Sequence, residues 1–292
     1  MFQFLSLERF AESGSLIAVM SEKKDGSMSP RYTTSPGEWR ENRLQFFEKC
    51  WKDLPGAHSL LMPGNGISLR GAFDPTLAED NQDIHVTHES FYPVDDRGRG
   101  MSVAGNEVMA EALVLTQPGV FGCLTIADCA ALMLFDPWRR IAAIAHVSRV
   151  TAFAELPQRL VRYLRSVFEV RPADLYAAIS PMISPASYAF PPDVLEHLVG
   201  KEIEAWRRRE LVVRIGDFDH VDLPGAVMSG LIDAGLYPEQ IDNAGIDTAT
   251  ARDPETNDWR FFSHHRFVHP ERFPEREQDE GRNMFILGMP TH

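Results

Sequence analysis

One stretch constrains this chain more than any other: Val120 to Val147, which carries charge only at Asp128, Asp136, Arg139 and Arg140. A strand with one wet face alternates apolar and polar residues. This stretch does not alternate, so its strands must be covered on both faces. "EALVLT" (111–116) and the run from Val120 to Asp136 read as consecutive strands, with "IAAIAHV" a third, entered through the turn "DPWRR". The covering helices are also visible. Gly37 to Gly56 places Trp39, Leu44, Phe47, Cys50, Trp51 and Leu54 at helical intervals before a Pro-Gly stop. "ELPQRLVRYLRSVFEV" turns Leu156, Leu160, Tyr163, Leu164 and Val167 inward, and another helix spans Pro192 to Arg209.

Further strands are expected in "LYAAISPMI", in "VVRIGDFDHV" ahead of a helix capped by Asp222 and ended by Gly235, in "WRFFSHHRF", and in "NMFILGM". Pro63 to Gly100 reads as turns and loop around "DIHVTHESFYPV". There is no internal repeat, no long Pro/Gly linker and no phosphate-loop glycine motif. The expected fold is therefore α/β, a single domain over residues 1–292 with a mixed β-sheet core flanked by helices.

The balance of 29 Lys+Arg against 42 Asp+Glu, a formal charge of -13, repels phosphate backbones and anionic membrane, which argues against nucleic acid and membrane as partners. No apolar run approaches the roughly 20 residues of a membrane span. Glu8 and Glu12 interrupt what a signal peptide would need apolar. Three cysteines without a CxxC pair suit a reducing compartment, so a cytoplasmic location is expected.

The candidate site lies within the apolar strands. Cys129 and His146 sit at far ends of two strands joined by one turn, which brings them together in space. They form either a nucleophile pair or two metal ligands. The plainer alternative is a small buried thiol beside a hydrogen-bonded core imidazole. Asp128 weighs against that alternative, because a carboxylate in "TIADCAAL" is costly to bury unless it is bonded or faces a polar cavity. On a regular strand Asp128 and Cys129 point to opposite faces, leaving Asp128 as a support and Cys129 in the cavity.

"LTIADCAALMLFDP" with "IAAIAH", "EALVLTQPG", "AAISPMIS", "VDLPGAVMSGLIDAGL", "FFSHHR" and "EGRNMFIL" together resemble the laccase-domain family, also called YfiH-like proteins or multicopper polyphenol oxidoreductases, from about Glu111 onward. The resemblance implies zinc, with copper the poorer reading, held by Cys129, His146 and an upstream histidine. For that third ligand it suggests His88, with His85 the runner-up; Asn65 in "PGNG" imitates the motif but lacks an imidazole. Three ligands leave a fourth tetrahedral position open, as in catalytic zinc sites.

Members of this family are described as purine nucleoside phosphorylases, some also deaminating adenosine, and as polyphenol oxidases or peptidoglycan editing factors. The resemblance thus implies a purine nucleoside and phosphate as small-molecule partners, with Arg149, Arg266 and Arg282 the candidates for holding an anion and Asp128 behind Cys129. The chain departs from the family pattern at several points. "HVSRVT" stands where the family has His-Ala-Gly-Trp-Arg-Gly, so Arg149 serves as that arginine only after a one-residue shift; Glu89 and Ser180 replace glycines. Two other readings stay open: a metal-free Cys-His hydrolase, and a non-catalytic domain that binds a nucleoside or a partner.

Overall fold

The structure, a computed structural model, describes residues 16–29, 37–51, 110–199, 202–269, 271–273 and 280–291, with Tyr32, Ser35 and the strand segments 2–3, 58–61, 84–86 and 93–94. Two six-stranded mixed sheets carry it. The first runs β1 (Phe2–Gln3), β2 (Ile17–Met20), β15 (Asn283–Gly288), β7 (Val120–Ile126), β3 (His58–Leu61), β5 (Pro93–Val94). The second runs β14 (Ile241–Asn243), β10 (Tyr176–Ile179), β8 (Ala130–Asp136), β9 (Ile141–Val147), β6 (Ala112–Leu115), β4 (Ile84–Val86). A small third sheet joins β11 (Ala189–Phe190), β13 (Phe218–Val221) and β12 (Val212–Ile215).

Side-chain alternation sorts the strands into layers. Leu124 and Ile126 of β7 and Phe285 and Leu287 of β15 meet Met133 and Phe135 of β8 and Ile144 of β9 between the two sheets. The opposite residues of the first sheet, Phe121, Cys123, Met284 and Ile286, pack on Phe46 and Phe47 of helix α1 (Glu38–Trp51). The opposite residues of the second sheet, among them Leu132, Leu134 and Ala143, pack with the same cluster as Leu160 and Leu164 of the helix Leu156–Phe168 and Val227 and Leu231 of the helix Leu223–Asp233. The order is helix, sheet, sheet, helices, which explains strands that are apolar on both faces.

The sheets are tightly packed at Gly122, where a Cβ would lie 2.8 Å from Cγ2 of Ile144. Both atoms belong to rigid strands, so the space cannot open cheaply.

The mixed β-sheet core flanked by helices is as expected, and it is divided into two stacked sheets with a small third. Several expectations are corrected. Val120 to Asp136 is two strands, because Asp128 takes the left-handed region (φ 74) and turns the chain from the first sheet into the second. Residues 212–221 form a hairpin around Gly216, whose φ of 60 suits glycine. "WRFFSHHRF" is not a strand: Ser263 caps a short helix, His264–Val268, by accepting from Arg266 N. Val167 is half exposed, at 51%, rather than inward. The helix expected from 192 to 209 is described as Pro192–Val199 and Glu202–Arg208. The helix before Asp233 is capped by Asp222 as expected, and the strands ending at Ile179 and Gly288 are where the pattern places them.

Gly122→Val is expected to destabilise the fold by about 1–3 kcal/mol through overpacking between the sheets, read as a lower urea midpoint at unchanged slope.

Candidate functional site

The site forms where the inter-sheet layer ends. Glu111 stands two residues before Leu113, and His146 two residues after Ile144, so alternation puts both on the inter-sheet face. Their backbones bond, His146 N to Glu111 O at 2.7 Å, and Nδ1 of the ring lies 2.7 Å from Oε2 of Glu111. Antiparallel pairing of β8 with β9 sets Ala131 opposite His146, which brings Cys129, just before β8, against the same ring. The expected Cys129–His146 juxtaposition is thus present. Burial disfavours charge on His146, but Cys129 on one side and Glu111 on the other outweigh it and push the imidazole pKa up to about 10.

These groups open on a cavity of about 430 Å³, lined by Cys129, His146, Arg149, Tyr188, Phe190, His265 and others. Ser148 caps the short helix Arg149–Phe153 by accepting from Thr151 N, and this places Arg149 at the cavity directly after β9. Arg149 Nη1 donates to the Tyr188 hydroxyl at 3.1 Å, and the guanidinium lies 5.0 Å from the Phe190 ring centre. Its Nε is buried and meets no acceptor among the described residues. An unmet buried donor is costly, so this guanidinium is held at some expense to the fold.

The other candidate residues separate. Asp128 does not line the cavity. Its Oδ1 accepts from the Thr248 hydroxyl and its Oδ2 from His265 N, each at 2.6 Å, so it fastens the sheet-to-sheet turn to the helix at 264–268. Arg266 is 1% exposed and spends its terminal nitrogens on the carbonyls of Thr248, Ala249 and Phe261, away from the cavity. Arg282 does line the cavity, bonded to Glu280 at 2.8 Å and stacked 3.9 Å from the Tyr32 ring. Ser180 in place of glycine is accommodated, its hydroxyl accepting from Ala131 N at 2.9 Å.

His88 and Glu89, like residues 63–83, lie outside the described residues. For His85 the backbone is described, paired with Leu113. The described part of β4 runs parallel to β6, from the level of Ala112 to that of Val114, and so leads away from the His146 end. Among the described residues no three His, Cys, Asp or Glu side chains gather into a metal-holding group.

Sequence reasoning missed Tyr188, Phe190, His265 and His269. The signal was "HHRFVH", whose first four residues fell in the stretch "WRFFSHHRF" read as strand; on a helix, His265 and His269 are four apart and one turn from each other.

A model of the family named multi-copper polyphenol oxidoreductase laccase matches residues 81–289, and the chain belongs to that family. The purine nucleoside phosphorylase YlmD of Bacillus subtilis is 26% identical over 195 residues, 66% of this chain and 64% of that protein. A purine nucleoside phosphorylase of Deinococcus radiodurans is 28% identical over 154 residues, 50% of this chain and 58% of that protein. The chain thus spans less than two thirds of the length of these relatives. Among solved structures, YfiH of Bacillus licheniformis superposes with a TM-score of 0.70 at 19% identity, covering 96% of this chain and 94% of that one. YlmD of Geobacillus stearothermophilus gives 0.68 at 18% identity, covering 95% and 93%. These likenesses establish the fold. No helix among the described residues is long and apolar enough to cross a membrane.

Asp128→Ala is expected to cost about 1–3 kcal/mol, since Thr248 and His265 N lose their shared acceptor; thermal unfolding measures it.

Proposed function

We propose that this chain is a purine nucleoside phosphorylase that holds zinc at Cys129 and His146. The relatives named purine nucleoside phosphorylase support the substrate class. The observation that carries the reaction type is Arg149, a guanidinium on the wall of the same cavity as Cys129 and His146. Deamination would need no anion there; phosphorolysis needs phosphate. At about 430 Å³ the cavity falls within the range of small-ligand sites.

The donor set fits zinc. Glu111 engages Nδ1 of His146 and thereby fixes the ring with Nε2 turned from it, the carboxylate–imidazole pairing that supports metal ligands. Cys129 supplies a sulfur beside it. The third ligand, His88, with His85 as runner-up, rests on the family resemblance. Bound there, zinc would supply positive charge to an anionic nucleophile. Arg149 then orients phosphate toward C1 of the ribose, with Arg282 a second cation at the cavity. Asp128 holds the turn that positions Cys129.

Metal content of protein purified without added metal is expected to be about one zinc per chain, lost in Cys129→Ala and His146→Ala. Loss in His88→Ala would assign the third ligand; retention there with loss in His85→Ala would move it. Arg149→Met is expected to raise the KM for phosphate roughly 10- to 100-fold, the worth of a charge-assisted hydrogen bond, in an assay of inosine phosphorolysis. No inosine turnover by metal-loaded wild type defeats the proposal.

The contact of Cys129 with His146 also favours a second reading, a metal-free thiol nucleophile with its base. Thiol alkylation separates the two. Burial pushes Cys50 up to about 12 and Cys123 higher still, so Cys129 is the thiol such a reagent reports. Protection that ends when chelator is added supports zinc; rapid alkylation from the start supports the nucleophile.

A further inference from the structure

His265 stands on the cavity wall and has no role in the reaction described above. Its ring is buried among aromatic neighbours, with centroids 4.3 Å from His269, 5.5 Å from Tyr188 and 5.7 Å from Phe190. Its Nε2 lies 3.3 Å from Nη1 of Arg272, which also donates to the Ala189 carbonyl at 3.1 Å and is thereby held in place. A guanidinium has donors and no acceptor. The contact is therefore a hydrogen bond only when Nε2 carries a lone pair, and the proton of the neutral ring sits on Nδ1. A second proton is disfavoured: burial first, then His269, Arg272, His264 and Arg149, hold the pKa down to about 3. Among the described residues no group bonds Nδ1, so this donor is left for an occupant of the cavity.

The geometry points to His265 as a specificity-determining residue, a hydrogen-bond donor of fixed sense that selects 6-oxopurine nucleosides over 6-aminopurine nucleosides. This rests on the purine nucleoside reading. Arg149, which itself holds Tyr188 and Phe190 at the anion end, puts the ribose beside it and leaves the base to the part of the wall formed by His265 and His269. The N7 edge of a 6-oxopurine offers two adjacent acceptors, N7 and O6, whereas on adenine the amino group beside N7 is itself a donor. A ring that can switch tautomer serves either edge. One locked by a guanidinium serves the first and opposes the second.

Two measurements on the full chain test this. Imidazole ¹⁵N spectra of the wild type, without substrate, are expected to show His265 neutral with its proton on Nδ1; a proton on Nε2, or a charged ring, at neutral pH overturns the inference whatever the protein binds. Calorimetry on the metal-loaded wild type is expected to show inosine binding about tenfold tighter than adenosine, the worth of one hydrogen bond gained against one opposed. Arg272→Leu, which unlocks the ring while keeping it, is expected to bring the two affinities within roughly threefold. His265→Leu is expected to do the same by removing the donor. Equal affinities in the wild type, or a preference unchanged in folded Arg272→Leu protein, overturn the inference alone. Failure of both nucleosides to bind overturns the purine reading and the inference with it.

Discussion

The carboxylate of Asp128 is the point on which the two halves of this molecule depend. It sits at the left-handed residue where the chain leaves one sheet for the other, and its two oxygens tie that turn to Thr248 and to the backbone of His265. Without that anchor, Cys129 has no reason to face His146, and the helix carrying His265 has no fixed depth. A buried carboxylate is expensive unless fully bonded. Here both oxygens are engaged, so the burial that would otherwise destabilise the fold gives the turn a unique conformation. The cavity inherits its shape from that turn.

Legibility in the sequence follows from what each feature depends on. The absence of a polar face from Val120 to Val147 required double coverage, and the four-layer arrangement provides it. The Cys129–His146 pairing was legible because a short turn and antiparallel register fix it locally. The split at Asp128 was not: the apolar text is continuous, and only the partner strands, far away in sequence, determine that β7 joins one sheet and β8 the other. Arg266 illustrates the same limit. An arginine beside a candidate motif reads as an anion ligand, yet its guanidinium meets three carbonyls that no local pattern announces.

The departures from the family pattern are partly absorbed by local chemistry. "HVSRVT" loses the small residues of the family motif, but Ser148 and Thr151 cap each other and start a helix that returns an arginine to the cavity. Family membership therefore does not rest on the motif surviving letter by letter. The "HHRFVH" segment brings two imidazoles four residues apart into ring contact, where a strand would have held them roughly 13 Å apart along its length. It gives this chain a cavity wall built of rings.

The order of strands in the first sheet has a consequence for how the molecule is made. β15, residues 283–288, lies between β2 and β7 and hydrogen-bonds to both, so these two strands, paired on their other edges with β1 and β3, each keep one edge without its partner until a segment translated more than 150 residues later arrives. During synthesis those edges stay open, with their apolar faces and unpaired amides exposed. Such long-range closure is slow. A nascent chain of this kind is most vulnerable to mispairing just before residues 283–288 emerge, and chaperone dependence would concentrate in that interval.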